Sequence, residues 1–497
     1  MTYYPRHAHI HDPAIIKDGH TYYLFGTHRR IARSTDLVDW TDVHSNLSDA
    51  PRELLKGFWD SWPYSEENPD LEGNTWAPDI IWNPHMHKWC MYLSINGAEF
   101  TSAIVLLTAD QLDGDWTYVS PVIYSGFTPD NAHKTDVRDI VGAEDTLDRY
   151  QSLRDSRINA IDAALAVDDD GSLWMSFGSW FGGIWMIELD WSTGLRKKSR
   201  SYATIANVSD RYYGIKIAGG HWNSGEGSYL VRTKNYWHLF ISYGRLNKEG
   251  GYQIRTYRSQ KLQGPYVDQA GNTAITPTRV DDNWTAPFGL RLLGSYAFTD
   301  AISSIEDSAR EIAQGHNSVL HEDSRYYLVY HTRFIGLGED DYESRIRELY
   351  LTADEWFTAS PYEYCGHHCA APLKASDIVG SYEFIEFATH EFYDGTLRAD
   401  GTHRGVMPSY VVQLHSDGSA TWQEKEENDS RYRGFWNTTG CDNAGHLYAN
   451  IGIDGRIYTA VASIGHESKN SPARITLSLV GDNHTAWMVK STPSTCE

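Results

Sequence analysis

Thr21-Tyr22-Tyr23-Leu24-Phe25-Gly26 is a short aromatic, β-branched run that ends in glycine, and the chain repeats its kind. Lys88-Trp89-Cys90-Met91-Tyr92-Leu93, Ser172-Leu173-Trp174-Met175-Ser176-Phe177, Tyr236-Trp237-His238-Leu239-Phe240-Ile241 and Arg325-Tyr326-Tyr327-Leu328-Val329-Tyr330 are the other copies. Each reads as a strand that follows a tight turn. Ahead of each stands another strand with a polar residue at a matching place: Asp12, Asp79, Asp162, Glu226 and His316. Behind most of them comes a third strand and a turn closed by an aromatic, as in Leu37-Val38-Asp39-Trp40, Leu112-Asp113-Gly114-Asp115-Trp116 and Leu262-Gln263-Gly264-Pro265-Tyr266. A small sheet unit recurring at intervals of roughly 65–90 residues is the signature of a propeller. One such sheet cannot bury both faces alone, whereas sheets stacked radially can. The expectation is an all-β chain whose residues 1–375 form a five-bladed β-propeller.

Two segments interrupt the repeat. Residues 130–157 are charged, with helical character from Asp145 to Arg157, and read as a surface insertion on the face that carries the loops. Residues 298–314 are similar, with a short helix expected from Ser303. Near Pro372 the repeat stops. Beyond it come short strands with Asp-Gly turns at Asp417-Gly418 and Asp454-Gly455, and Ser409-Tyr410-Val411-Val412-Gln413-Leu414 leads into the first of these. Residues 376–497 are therefore expected to form a small β-barrel or sandwich domain.

Composition bounds the function. Of 497 residues, 41% are hydrophobic and 22% charged, enough apolar material for a sizeable core. The net charge of −23 disfavours nucleic acid and anionic membrane as partners and suits a neutral ligand. With no run of about 18 apolar residues, no transmembrane helix is expected. Aromatics reach 13%, with 18 Trp and 32 Tyr, a density that serves either a β-rich core or stacking against sugar rings. The five cysteines, Cys90, Cys365, Cys369, Cys441 and Cys496, are odd in number and irregularly spaced, so they do not read as a disulfide framework. Cys365 and Cys369 flank His367 and His368, but no second ligand pair at matching spacing supports a zinc site. Residues 1–10 lack the apolar stretch of a signal peptide, which reads as cytoplasmic for the sequence as it stands and as secreted if a leader has been removed. A monomer is expected.

His11-Asp12-Pro13, Asn159-Ala160-Ile161-Asp162 and Gly225-Glu226-Gly227 each have an innocent reading as a turn or loop edge. Together they carry more. The first strand of each blade lines a propeller's channel, so carboxylates at equivalent positions in different blades converge. Glycoside hydrolysis needs two carboxyl groups, an acid for the leaving oxygen and a base for water. A third negative charge nearby keeps the acid protonated.

With Trp76-Ala77-Pro78-Asp79 and Gly315-His316-Asn317-Ser318, these motifs resemble, in order, the family 43 glycoside hydrolases over roughly residues 9–375. The resemblance implies an inverting mechanism with Asp12 as general base, Glu226 as general acid, and Asp162 orienting the acid and tuning its pKa. It implies substrate contacts from Trp76, Asp79, Asn159, Ser179, Trp180 and Phe181. Within the family, Gly178-Ser179-Trp180-Phe181-Gly182-Gly183-Ile184 is most similar to endo-acting arabinanases, so an arabinose-containing polysaccharide or oligosaccharide is the implied substrate. His316 would then stand in the channel beside a largely water-coordinated calcium ion. Ala163 and Ser228 depart from the family pattern, where proline is usual, and leave substrate and subfamily open. An exo-acting arabinofuranosidase or β-xylosidase on the same fold remains an alternative. A non-catalytic glycan-binding propeller or a protein-docking propeller would not need all three carboxylates.

Overall fold

Thr101–Ala109 is buried at every position, the pattern of a strand covered on both faces, and a β-sheet layer on each side supplies that cover. The computed structural model describes all residues except 1–5, 62–69, 71–72, 99, 152–156, 224, 277, 279–287, 299–309, 367, 369–371, 389, 400, 423–431 and 495–497. Five antiparallel sheets follow one another along the chain. Blade one comprises Ala14–Asp18, Thr21–Gly26, Arg30–Ser34 and Thr41–Asp42. Blade two comprises Thr75–Asn83, Lys88–Ala98, Thr101–Ala109 and Thr117–Tyr124. Blade three runs outward from Ala164–Val167 through Leu173–Phe177, Ile184–Leu189 and Gly214–Ala218, with Ser209–Asp210 added at its edge. Blade four comprises Glu226–Arg232, Trp237–Tyr243, Gln253–Ser259 and Leu290–Arg291. Blade five comprises Glu311–Glu322, Arg325–Phe334, Glu343–Leu351 and Phe357–Ala359.

The first strand of each blade touches the first strand of the next, and that of blade five touches that of blade one, so the ring closes around a channel. Residues 6–10 lock the closure. Ser344 of blade five donates from its backbone N to Ala8 O and from Oγ to Ile10 O, while Trp40 N of blade one donates to Arg6 O. Ala8, Ile10, Leu24, Leu320, Val329 and Ile346 share one apolar cluster across that seam.

The remaining strands, Gly380–Phe387, Tyr410–Leu414, Ser419–Trp422, Tyr432–Cys441, Leu447–Ile453, Arg456–Gly465, Arg474–Gly481 and His484–Lys490, form a closed barrel, so of the two architectures expected the barrel is the one found. Full closure leaves no sheet edge to protect. The barrel docks through Trp487, which is 0% exposed, donates from Nε1 to Ala359 O, and lies among Phe240, Leu328, Phe357 and Phe387.

The insertion holds an α-helix at Val137–Val141 and 3-10 turns at Ala132–Lys134 and Asp148–Gln151; the rest of the helical stretch expected up to Arg157 lies largely outside the described residues. The helix expected from Ser303 also lies outside them, and residues 311–314, placed in that interruption by the sequence, begin the first strand of blade five. Three one-turn helices, Asn46–Asp49, Pro51–Leu54 and Lys56–Trp59, interrupt the β pattern unforeseen. No helix among the described residues is long and apolar enough to cross a membrane.

Candidate active site

The channel-lining strands are irregular where the polar residues sit. Pairing shifts register between Trp76 and Asp79, between Glu226 and Tyr229, and on both sides of Gly315. Such bulges re-aim side chains and concentrate beside active sites. Asp12, Asp162, His316, Trp180 and Phe181 all have positive φ, between 39° and 60°, which is costly for residues other than glycine and persists only where the surroundings impose it. Gly227 shares that region with φ 58°, and glycine is favoured there for a second reason: a Cβ would stand 2.9 Å from Cγ of His316.

Asp12 is buried and surrounded by donors. His11 Nδ1 lies 2.8 Å from its Oδ2, His316 Nδ1 lies 3.1 Å from its Oδ1, and the Thr27 hydroxyl donates to Oδ2. Burial alone would raise its pKa, but the charges of His11 and His316 outweigh that and hold the carboxyl well below its usual range. His331 behaves oppositely. Burial pushes its pKa far down, and its neutral Nδ1 accepts the Asp12 backbone N–H at 3.3 Å.

Glu226 opens blade four. Ser179 Oγ and Trp180 Nε1 both donate to its Oε2 at 3.0 Å, and the Tyr252 hydroxyl is close enough to act on the same carboxyl group. Burial raises its pKa against the opposing pull of these donors and of His316. Asp162 receives the Gly227 N–H at 3.1 Å, and its own N–H donates to Ser94 Oγ. Burial lifts its pKa to about 7, with Glu226 and Asp12 adding to the rise and His316 opposing it. His316 goes to about 9, because Asp12, Asp162 and Glu226 together overcome its burial. The site thus separates its carboxyl groups, Asp12 held as carboxylate and Glu226 biased toward the acid, the division that acid–base chemistry at one pH requires.

The other residues singled out by sequence are placed as follows. Asp79 is buried with Oδ1 on its neighbour's N–H, Ile80, and Oδ2 on the N–H of Leu165, so its carboxylate ties blade two to blade three. Asn159 likewise accepts the Ser102 hydroxyl through Oδ1. Trp76 is half-buried and donates from Nε1 to Gly73 O. Phe181 is half-buried, edge-on to Trp222 with ring centres 4.5 Å apart and against Phe100 at 4.2 Å. Tyr252 and His331 are the participants that the sequence reading missed. The Gly250-Gly251 pair ahead of Tyr252, a point of close backbone approach, is the signal that was there to be used.

His11, Asp12 and His331 bring ligand-type atoms within 4.8 Å of one another. The two imidazoles, however, stack face to face at 3.7 Å and 25°, so their in-plane lone pairs run side by side rather than converging on one ion. The trio fits an orienting set around Asp12 better than a metal cage. His316 can serve as a ligand only in its neutral form, which an ion would have to favour over the proton: with Nδ1–H then donating to Asp12, the lone pair of the other nitrogen is the one left for an ion, as in carboxylate–histidine–metal arrangements.

Glycosyl hydrolases family 43 matches residues 7–357, which reaches from the start of the ring to the first residue of blade five's last strand and takes in every residue of the site just described. The chain belongs to that family. It is therefore a glycoside hydrolase. Among relatives of this family 43 chain, an extracellular endo-alpha-(1->5)-L-arabinanase of Thermotoga petrophila is 30% identical over 85% of this chain and 84% of its own length. The extracellular endo-alpha-(1->5)-L-arabinanase 2 of Bacillus subtilis is 31% identical over 76% of this chain and 75% of its own. The crystal structure of an endo-1,5-alpha-L-arabinanase from Thermotoga petrophila superposes with a TM-score of 0.77 and 26% identity, covering 98% of this chain and all of that one.

Proposed function

We propose that this family 43 enzyme hydrolyses α-1,5-linked arabinan or its oligosaccharides within the chain and with inversion. Asp12 is the general base, Glu226 the general acid, and Asp162 orients the acid through the Gly227 backbone and keeps its proton in place. The observation that carries the reading is geometric: Asp12, ringed by His11, His316 and the Thr27 hydroxyl, and Glu226, held by Ser179 and Trp180, both stand on the channel-lining side of their blades, and their environments bias the first toward carboxylate and the second toward acid. In the step itself, Asp12 takes a proton from water as the water oxygen bonds to the anomeric carbon. Glu226 gives its proton to the glycosidic oxygen as that C–O bond breaks. The names of both relatives support arabinan as substrate and action outside the cell. Residues 1–375 carry the chemistry, residues 376–497 form the appended domain, and the enzyme acts as a monomer. Trp76, Trp180 and Phe181 are the aromatic surfaces offered to sugar rings, with Asp79, Asn159 and Ser179 fixing the strands and groups beneath them.

The test is the product profile on linear, debranched arabinan. A ladder of oligosaccharides is expected from the first time points; arabinose alone from the start would favour the exo-acting reading. Proton NMR of the first-formed reducing end should show inverted configuration, and retention would overturn the assignment of Asp12 as base.

His316 is the residue proposed to hold a calcium ion, otherwise ligated by water, since calcium prefers oxygen ligands. Such an ion would supply positive charge that offsets repulsion among the channel carboxylates. Elemental analysis should find calcium bound, and exhaustive chelation should lower the melting temperature of the native enzyme but not that of His316→Ala. Equal response of the two proteins would remove the metal from the reading.

A further inference from the structure

Tyr252 stands close enough to Glu226 for its hydroxyl to favour the ionised carboxyl, and it does so from a loop that the C-terminal barrel grips. The residue is 3% exposed, and its ring lies near-parallel to that of His331 at 5.7 Å. Blade five leaves room for it only because residue 315 is glycine: a Cβ there would stand 1.9 Å from the Tyr252 ring. Gly251, immediately before Tyr252, has φ 75°, and a Cβ on it would meet the Phe392 ring at 2.9 Å.

Phe392 belongs to an excursion, 388–408, between the first two strands of the barrel. That excursion is anchored along its length. Buried Arg291 of blade four donates from Nη1 to Ala388 O at 2.6 Å and also to Glu391 O. Gly405 passes so close to the Phe392 backbone that a Cβ would stand 1.9 Å from it. Val406 packs with Ile312 and Ile335 of blade five, and Met407–Pro408 pairs in parallel with Tyr296–Ala297. A ring seated on a glycine restrains the backbone that glycine would otherwise leave the freest in the chain.

We propose that Phe392 is a positioning residue for the catalytic acid: seated on Gly251, it holds Tyr252 against Glu226, so the barrel helps to aim a group in the propeller channel. The proposal rests on the reading of Glu226 as the acid. Its consequence is selective. Aim matters most when the departing oxygen needs its proton early, and least when the leaving group is stable as an anion.

The experiment uses the full-length enzyme and two aryl oligoarabinosides, one releasing phenol and one releasing dinitrophenol. Phe392→Ala is expected to lower kcat on the phenyl substrate by about 10-fold or more, on the scale that small misplacements of catalytic groups produce. On the dinitrophenyl substrate kcat should fall by no more than about twofold, with KM little changed on both, as expected when only transition-state aim is lost. Tyr252→Phe should show the same selectivity, the double variant should be no worse than the weaker single variant, and Phe392→Leu should recover most of the loss. Equal losses on both substrates, or losses that multiply in the double variant, would overturn the proposal. Should Phe392→Ala not fold, Phe392→Val, which keeps an apolar side chain but removes the ring seated on Gly251, combined with Tyr252→Phe gives the same coupling test. Full phenyl-substrate activity in Glu226→Gln would point instead to failure of the acid assignment.

Discussion

Replacing Trp180 by phenylalanine keeps an aromatic surface beside Glu226 and removes one N–H. That N–H and the Ser179 hydroxyl both donate to Glu226 Oε2 at 3.0 Å. Each such bond favours the carboxylate over the acid, because a full negative charge accepts more strongly than a carbonyl oxygen. A hydrogen bond to a charged group contributes about 1.5–3 kcal/mol, and one pKa unit corresponds to about 1.4 kcal/mol. Losing the Trp180 donor should therefore raise the Glu226 pKa by roughly 1–2 units. As the proposed acid, Glu226 acts while protonated, so its ionisation should end activity on the alkaline side. The alkaline limb of kcat/KM against pH should move upward by that amount in Trp180→Phe. Ser179→Ala should move it the same way. The acidic limb, which on the proposed assignment reports Asp12 as base, should stay in place, because neither donor touches that group. The assay is kcat/KM on linear arabinan at closely spaced pH values, with protein stability checked at each. An alkaline limb that stays put or moves downward in both variants would refute the reasoning, since it would mean that these donors do not act on the titrating acid.

Asp12→Asn and Glu226→Gln should each cost about 10²–10⁴-fold in kcat on arabinan, with circular dichroism unchanged; near-native turnover in either would remove that residue from its role. His7 lies within 3.1 Å of Glu343 and 3.0 Å of Glu363 at the closure of the ring, and these partners overcome its burial to raise its pKa from 6.5 to about 9. A pKa raised in the folded state means stability that is fully present below pH 6.5 and lost as pH rises through 9, on the order of 3 kcal/mol. The melting temperature of the native protein should fall across that window more than that of His7→Gln, and parallel curves would show that the clasp does not titrate there. Trp487→Ala, which empties a fully buried site between barrel and propeller, should cost about 3–5 kcal/mol. Because the site is shared, calorimetry should show one transition moved down rather than a barrel transition moved alone.

The repeat of strands and the polar residue ahead of each blade were legible because they rest on local facts. Alternation along a strand, a turn at Asp-Gly, and a carboxylate between glycines are all written within a few positions. Even so, the readings of Asp79 and Asn159 show the limit of such evidence. Both stand in motifs from which the family resemblance implies substrate contacts, and both also give side-chain oxygens to neighbouring backbone or hydroxyl groups. Which neighbour a side chain meets is not a property of its own segment.

By itself, then, the sequence determined the class of fold and the number of blades, and it named the carboxylates to which a catalytic role is proposed. The three-dimensional structure decided what each carboxylate is. Asp12 meets His331 across 319 positions of chain, and it is held ionised by imidazoles that arrive from two blades. Glu226 is biased toward the acid by burial that only the closed ring creates. The last strand of the C-terminal domain pairs with its first, which makes a barrel of what could have been a sandwich, and Phe392 reaches Gly251 only because that barrel is docked. The physical reason is common to all of these. Strand and turn preferences act over a few residues, whereas desolvation and electrostatic coupling depend on everything within several ångströms, whatever its place in the chain.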